Sequence, residues 1–146
     1  MELDLDLRSC QQVRNCVAQA QNAQKALDTF DQEKLNQICA AIAQAAQAQA
    51  EHLGRMACEE TGFGRPQDQT VKNTFASIKV WESIQNLKAV GILQEHPEDQ
   101  IIDIGTPVGI IAGIVPSTNP TSSVIYKALI AIKAGNTIVF SPHPNA

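Results

Sequence analysis

A short polar loop between two prolines holds the side chain best suited to chemistry in this chain. The loop runs from Pro116 to Pro120, and Asn119 directly precedes the second proline. The Asn119 carboxamide offers an N–H₂ group that can donate to a developing oxyanion. A structural interpretation also stands, in which the loop is a tight turn and Thr121 and Ser122 cap the helix that follows. Spacing alone favours the turn.

A second polar loop follows about twenty residues later. It contains Ser141, Pro142, His143 and Pro144, and its two prolines stop the preceding strand. A hydroxyl and an imidazole displayed past a strand suit contacts to a ribose or a phosphate, and they suit a simple turn equally well. His143 as a general base lacks an acidic partner nearby in sequence.

Hydrophobic runs define the elements that must position these two loops. Apolar residues fill positions 108–115, a helical pattern covers 122–134 and ends at Gly135, and a second apolar run covers 137–140. Strand, loop, helix, strand and loop form a βαβ unit. Both loops then leave the carboxyl ends of parallel strands, where open α/β sheets bind their ligands.

The common phosphate-binding fingerprints are absent around this unit. Neither G-x-G-x-x-G nor G-x-x-x-x-G-K-[ST] occurs, because Gly105, Gly109 and Gly113 have the wrong spacing. Lys127 and Lys133 fall inside the predicted helix, where we expect surface charges and not phosphate ligands.

The chain up to about residue 87 is predicted to be helical, with a first helix over 9–27. Asp31 can cap the start of a second predicted helix, and Thr29 is the competing cap. Gly62 or Gly64 suits its left-handed end. The stripe of this second helix recurs at three- and four-residue steps and comprises Leu35, Ile38, Ile42, Ala45, Ala46, Leu53 and Met56.

A third helix is predicted over 67–86, with Pro66 in its first turn. Its apolar stripe, expected to face the core, comprises Val71, Phe75, Ile78 and Trp81. Residues 88–100 have the composition of a linker, and 101–104 alternate enough for one edge strand, in a different sheet from the βαβ unit or at its edge. The predicted fold is therefore α/β: a helical N-terminal half followed by the βαβ unit at 108–146.

Composition excludes several classes of function. The formal net charge is −4 and the eleven Lys and Arg are scattered, so a phosphate-backbone binder is not expected. No apolar run approaches the roughly 20 residues of a bilayer span. The acidic N-terminus lacks the basic segment of a signal peptide, which favours a cytoplasmic protein.

The four cysteines are predicted to be free and structural. None forms a C-x-x-C pair, and no histidine lies at ligand spacing from them, so no metal site is expected. They fall in helical, partly apolar stretches where cysteine behaves as a small buried hydrophobe. The four are Cys10, Cys16, Cys39 and Cys58.

The segment from Gly109, GIIAGIVPSTNPTSSVIYKALIAIKAGNTIVFSPHPNA, resembles the coenzyme-A-acylating aldehyde dehydrogenases. Weaker matches upstream are Arg55-Met-Ala, ETGFG at 60–64 and VKNTFAS at 71–77, so the resemblance covers nearly the whole chain. The combination of VPSTNPTS with FSPHPNA is specific, and either motif alone is less so.

The resemblance implies a definite chemistry, in which a cysteine thiolate attacks a short aldehyde, hydride passes to NAD⁺ and the acyl group passes to coenzyme A, reversibly. Asn119 would donate to the thiohemiacetal oxyanion. Segment 116–118 (Pro116, Ser117 and Thr118) would line the nicotinamide side of the cofactor cleft. Segment 141–143 (Ser141, Pro142 and His143) would contact the adenosine ribose and serve coenzyme A. The family also implies a Rossmann-like cofactor domain, an oligomerisation strand arm and a homo-oligomer, in the cytoplasm or a bacterial microcompartment.

The family's nucleophilic cysteine and catalytic domain are expected beyond Ala146, because none of the four cysteines matches that nucleophile. The chain is then one piece of a longer protein and inactive alone. Two alternatives remain open: a non-catalytic assembly or partner-binding module, and a related acyl-phosphate reductase. The aldehyde used and the choice between NAD and NADP are not determined by these residues.

Overall fold

The computed structural model describes residues 4–146. Six α-helices, one π-helical turn and four strands fall in that range, with the helices first and the strands concentrated later. The bounds are α1 Leu5–Leu27, α2 Gln32–Ala48, α3 Ala50–Thr61, α4 Pro66–Thr74, the π-helical turn Phe75–Lys79, α5 Val80–Ile84, β1 Gly91–His96, β2 Ile101–Gly105, β3 Ile110–Val115, α6 Pro120–Lys133 and β4 Thr137–Pro142. The α/β prediction is confirmed. Within the described residues no helix is long and apolar enough to cross a membrane.

Three helix boundaries follow the capping signals in the sequence. Asp31 accepts a hydrogen bond from the backbone N–H of Lys34 at 2.8 Å, which caps α2. Pro66 occupies the first turn of α4. Gly62 ends α3 in the left-handed region with φ 71°. The second helix predicted from the sequence is in fact two, because the backbone leaves helical geometry at Gln49.

The predicted apolar stripe of the third helix faces the core only in its second half, where Ile78 and Trp81 pack against the core cluster. Val71 and Phe75 are 68% and 63% exposed, whereas the polar side chains of α4 and the π-helical turn are fully buried. In α4 the buried face is the one whose side chains bond to neighbouring segments, because Gln69 donates to the Thr118 carbonyl and Asn73 to the Ala50 carbonyl. The π-helical turn that follows changes the winding, so the residues before and after it do not form one continuous stripe. The buried polar residues are Gln69, Asn73 and Ser77.

A compact core of small and aliphatic side chains joins α2, the π-helical turn and α6. Its buried members are Cys39, Ala43, Ala76, Ile125 and Leu129. The small side chains of Ala43 and Ala76 let the helix backbones approach closely. A second close approach, between α3 and α4, depends on Gly54, because a Cβ there would lie 2.7 Å from the Thr70 hydroxyl and 2.8 Å from its backbone nitrogen.

The segment expected to be a linker contains a strand, which corrects that prediction. β1 pairs with β2 in an antiparallel hairpin that forms its own two-stranded sheet. β2 lies where the edge strand was expected, and it forms a sheet separate from the βαβ unit. Both strands of the hairpin expose aliphatic side chains, so β1 lacks the alternation that marks a half-buried strand. These exposed residues are Ile92, Leu93, Ile101, Ile102 and Ile104.

The last three elements form the expected βαβ unit. β3 and β4 are parallel neighbours, paired from Ile110 with Thr137 to Val115 with Pro142, and α6 crosses between them. Asn119, and neither Thr121 nor Ser122, occupies the N-cap of α6. Its side chain makes no capping bond, although its carbonyl accepts from the Ser123 N–H at 3.1 Å.

Buried side chains hold the carboxyl end of α6. Lys133 is only 4% exposed, so the expectation of a surface charge is wrong there; its Nζ donates to Asn36 Oδ1 at 2.6 Å and to the Gln85 carbonyl at 2.9 Å. Burial lowers the pKa of Lys133 below its ordinary value, and the nearby Cys39 thiol opposes that shift. Gln24 donates to the Gly135 carbonyl at 2.7 Å. These hydrogen bonds fix the position of the chain just before strand β4.

Candidate functional site at the carboxyl ends of β3 and β4

The structure brings the two predicted loops together. Ile114 pairs with Ser141 and Val115 with Pro142, so the loops leave the sheet side by side. The His143 N–H also donates to the Val115 carbonyl at 2.8 Å. All seven residues singled out in the sequence therefore lie at one edge of the parallel sheet. That position is the one at which α/β folds bind ligands.

Asn119 presents one hydrogen-bond donor that the described residues leave unused. Its Oδ1 accepts from Lys72 Nζ at 2.7 Å, and its Nδ2 donates to the Thr118 hydroxyl at 3.2 Å. A carboxamide nitrogen carries two N–H groups, so one remains without a partner among residues 4–146. The side chain is half-buried at the end of β3 and so can meet a ligand.

Helix α4 holds the backbone around Asn119 from the other side. Gln69 Nε2 donates to the Thr118 carbonyl at 3.0 Å, and the Thr121 hydroxyl donates to Asn73 Oδ1 at 2.7 Å. Asn73 is itself fixed, because its Nδ2 donates to the Ala50 carbonyl at 3.0 Å. Two side chains one turn apart thus hold the residue immediately before Asn119 and the residue two positions after it.

Sequence reasoning missed the contribution of α4 to the site. The available signal was the four-residue spacing of Gln69, Asn73 and Ser77, which places three polar side chains on one helix face. The apolar stripe beginning at Val71 had the same helical period and was preferred. Only the tertiary contact to loop 116–120 distinguishes the two faces.

The second loop is more exposed than the first. Ser141 and Pro142 were expected in a loop but are the final residues of β4, because their backbone continues the parallel pairing with β3. His143 is exposed, and its Nδ1 accepts from the Asn145 N–H at 3.1 Å. Within residues 4–146 no ion pair joins His143 to a carboxylate. The sequence had likewise shown no acidic partner.

An apolar hollow of about 320 Å³ opens beside both loops. Val115, Pro120, Val124, Phe140 and Pro142 contribute to its walls, which are almost entirely apolar. An apolar wall flanked by polar loop groups is typical of a site that binds a flat ring. The hollow therefore suits an apolar or aromatic part of a ligand better than it suits a bare phosphate.

The cysteines are free, but only one is buried. Cys39 lies in the core, where burial raises its pKa to about 11, so it is protonated and unreactive at neutral pH. Cys10 is exposed, and Cys16 and Cys58 are half-buried, so the expectation of four buried thiols is wrong for these three. All four lie on α1, α2 and α3. Among the described residues no cluster of potential metal ligands occurs.

Comparison with known proteins identifies the family. The family model described as "Aldehyde dehydrogenase family" matches residues 4–146. The chain belongs to the aldehyde dehydrogenase family. It is 42% identical over 130 residues to the bifunctional aldehyde-alcohol dehydrogenase of Escherichia coli, a match that covers 89% of this chain and 15% of that protein.

Solved structures of acylating enzymes have the same fold as this family member. An acetylating aldehyde dehydrogenase from Geobacillus thermoglucosidasius matches with a TM-score of 0.96 and 52% identity, covering 99% of this chain and 32% of that one. A Rhodopseudomonas palustris propionaldehyde dehydrogenase with bound CoA and an acylated cysteine matches with a TM-score of 0.71 and 29% identity, covering 90% and 30%. The resemblance to acylating enzymes is confirmed. The chain spans about a third or less of each of these proteins.

Proposed function

We propose that this chain forms the first part of the cofactor-binding domain of an acylating aldehyde dehydrogenase. The complete enzyme converts a short aldehyde, NAD⁺ and coenzyme A to acyl-CoA and NADH, and the reaction is reversible. Family membership and the similarity to acetylating enzymes support the reaction class. The observation that carries the proposal is the unused N–H of Asn119 at the carboxyl end of β3.

Asn119 acts as an oxyanion donor in this proposal. When a nucleophile adds to an aldehyde carbonyl, the oxygen gains negative charge, and a fixed N–H at hydrogen-bond distance lowers the energy of that state. The donor must be fixed before the reaction to be effective. Contacts from Gln69 and Asn73 to the neighbouring residues provide that preorganisation.

The two loops and the apolar hollow are proposed to hold the cofactors. Segment 116–118 faces the nicotinamide side, and Ser141 and His143 contact the ribose or coenzyme A. Both segments are solvent-accessible at the edge of the hollow. A bound nicotinamide would supply the hydride acceptor, while the residues of this chain position it and exclude water from one side.

The β1–β2 hairpin is proposed to serve as an assembly arm in a homo-oligomer, acting in the cytoplasm or inside a bacterial microcompartment. Ile101, Ile102 and Ile104 are each more than half exposed on this hairpin. Exposed aliphatic groups on an isolated two-stranded ribbon are unfavourable in water and typical of a surface that another subunit covers.

Replacement of Asn119 by Ala in the complete protein tests the proposal. Turnover, measured as CoA-dependent NADH formation, should fall about 10²–10³-fold, as it does when an oxyanion donor is lost. The Asn119 side chain does not cap α6, so thermal stability should hardly change. Asn86→Ala, at an exposed turn, is the matched control and should retain full turnover.

Three outcomes would contradict parts of the proposal. Turnover of Asn119→Ala within twofold of wild type would reject the donor role. NADH formation without coenzyme A would reject acylation. Activity with an acyl phosphate and not with acyl-CoA would identify the related acyl-phosphate reductase instead.

A further inference from the structure

Lys72 is an exposed residue of α4 that contacts the proposed catalytic side chain. It lies 47 positions before Asn119 in sequence, and its Nζ is 2.7 Å from Asn119 Oδ1. Its sequence position on a solvent-facing part of a helix gives no hint of this contact. Within residues 4–146, no carboxylate lies within ion-pair distance of Lys72.

The nearest acidic group on the same helix is already occupied. Asp68 lies one turn before Lys72 and forms a two-pronged ion pair with Arg65, at 2.8 and 3.1 Å. The Arg65 guanidinium, and more weakly the charge of Lys72, hold the pKa of Asp68 below its ordinary value. The Lys72 ammonium is therefore left to hydrogen-bond with the Asn119 carboxamide.

A carboxamide can point either its oxygen or its N–H₂ group in a given direction, since the two orientations differ by a 180° rotation about the terminal bond. An ammonium group has only donors, so it can pair with the oxygen and never with the N–H₂ group. Lys72 therefore selects the orientation in which Oδ1 points towards α4. The N–H₂ group of Asn119 then points away from α4.

We propose that Lys72 is a positioning residue that fixes the donating orientation of the Asn119 carboxamide. This inference rests on the oxyanion role proposed above. The ammonium also draws electron density towards Oδ1, which makes the remaining N–H a stronger donor because linked hydrogen bonds polarise one another. Lys72 touches neither substrate nor cofactor in this account and acts only through Asn119.

The contact is solvent-exposed, so its effect should be smaller than that of Asn119 itself. We expect Lys72→Met in the complete enzyme to lower kcat about 5- to 20-fold, with little change in the KM for aldehyde. Lys72→Arg retains a cationic donor and should recover most of the rate. Lys79→Met removes an exposed lysine that pairs with Glu82 further along the same chain and is the matched control.

A double-mutant cycle separates positioning from general electrostatics. Lys72→Met should lower kcat in the wild-type background and change it less than twofold in the Asn119→Ala background. An equal loss in both backgrounds, or no loss in either, would overturn the positioning role while leaving the oxyanion proposal intact. If Asn119→Ala alone has no effect, the proposed function fails and this inference fails with it.

Discussion

Helix α6 is held by side chains at both of its ends, but the two ends are held differently. At the carboxyl end, Lys133 donates to two acceptors, and the Gln24 carboxamide uses both its nitrogen and its oxygen. At the amino end, Gln69 leaves its Oε1 buried without a partner, and Asn119 leaves one N–H unused within the described residues.

The difference suggests that the carboxyl end of α6 serves mainly stability and that its amino end serves the proposed site. Buried polar groups without partners reduce stability, so a structure optimised only for folding would avoid them. Satisfied groups at the carboxyl end fix the helix against α1, α2 and α5. At the amino end, Gln69 Oε1 is fully buried, so only the unused N–H of the half-buried Asn119 is accessible for the proposed donor role. Variants at the two ends should therefore separate stability from turnover.

Among the variants that compare the two ends of α6, Asn73→Leu is expected to have the largest effect, because it changes both stability and turnover. The change leaves the Ala50 carbonyl and the Thr121 hydroxyl without their partner, which should lower the free energy of unfolding by about 2–4 kcal/mol. Turnover per folded molecule should also fall about tenfold as the Asn119 loop loosens. Urea unfolding and steady-state kinetics of the complete enzyme measure the two.

Val71→Ala is the control for that prediction, because Val71 lies on the exposed face of α4. It should change stability by no more than about 0.5 kcal/mol. Full turnover per folded molecule in Asn73→Leu would show that Asn73 supports the fold and does not position the Asn119 loop. The proposed link between the amino end of α6 and turnover would then be wrong for this residue.

Lys133→Met should produce a stability loss without a catalytic one. It removes one of the two donors to Asn36 Oδ1, which keeps its bond from Gln32 Nε2, and leaves the Gln85 carbonyl without the Lys133 donor. We expect a cost of about 1–3 kcal/mol in the free energy of unfolding, while kcat stays unchanged. A matching loss of kcat would show that the two ends of α6 are coupled.

The stability difference between wild type and Lys133→Met is expected to increase with pH. Because burial lowers the Lys133 pKa below 10.5 in the folded state, the unfolded chain binds more protons just below that pH. The contribution of Lys133 to the free energy of unfolding therefore rises as pH increases through this window. The difference between wild type and Lys133→Met should grow in the same direction, which urea unfolding at neutral and alkaline pH can measure.

The smallest effect is expected from His143→Ala in the second loop. His143 is exposed, so stability should change by less than about 0.5 kcal/mol. Loss of a ribose contact should raise the KM for the nicotinamide cofactor roughly two- to fivefold, with kcat nearly constant. His52→Ala on the surface of α3 should alter neither. A large fall in kcat for His143→Ala would instead assign it a role in proton transfer.

Local signals in the sequence were sufficient for several parts of this structure. Asp31 and Pro66 mark helix starts because their side chains act within one turn of their own backbone. The βαβ unit could be predicted because its two apolar runs flank a helical pattern and its prolines stop the strands and open the loops. Asn119 could be proposed as a donor because the resemblance carried by VPSTNPTS covers its neighbours.

Tertiary structure alone decided what surrounds those residues. The contact between Lys72 and Asn119 spans 47 positions, and no periodicity links them. The burial of Lys133 depends on acceptors brought by α2 and α5, so a charge within a helix appeared to be solvated. The buried face of α4 depended on the contacts of Gln69 and Asn73 with the Thr118 and Ala50 carbonyls, which are distant in sequence. The sequence by itself thus determined the family, the loops and the candidate donor, because these rest on local chemistry. Long-range packing determined which side chains orient that donor.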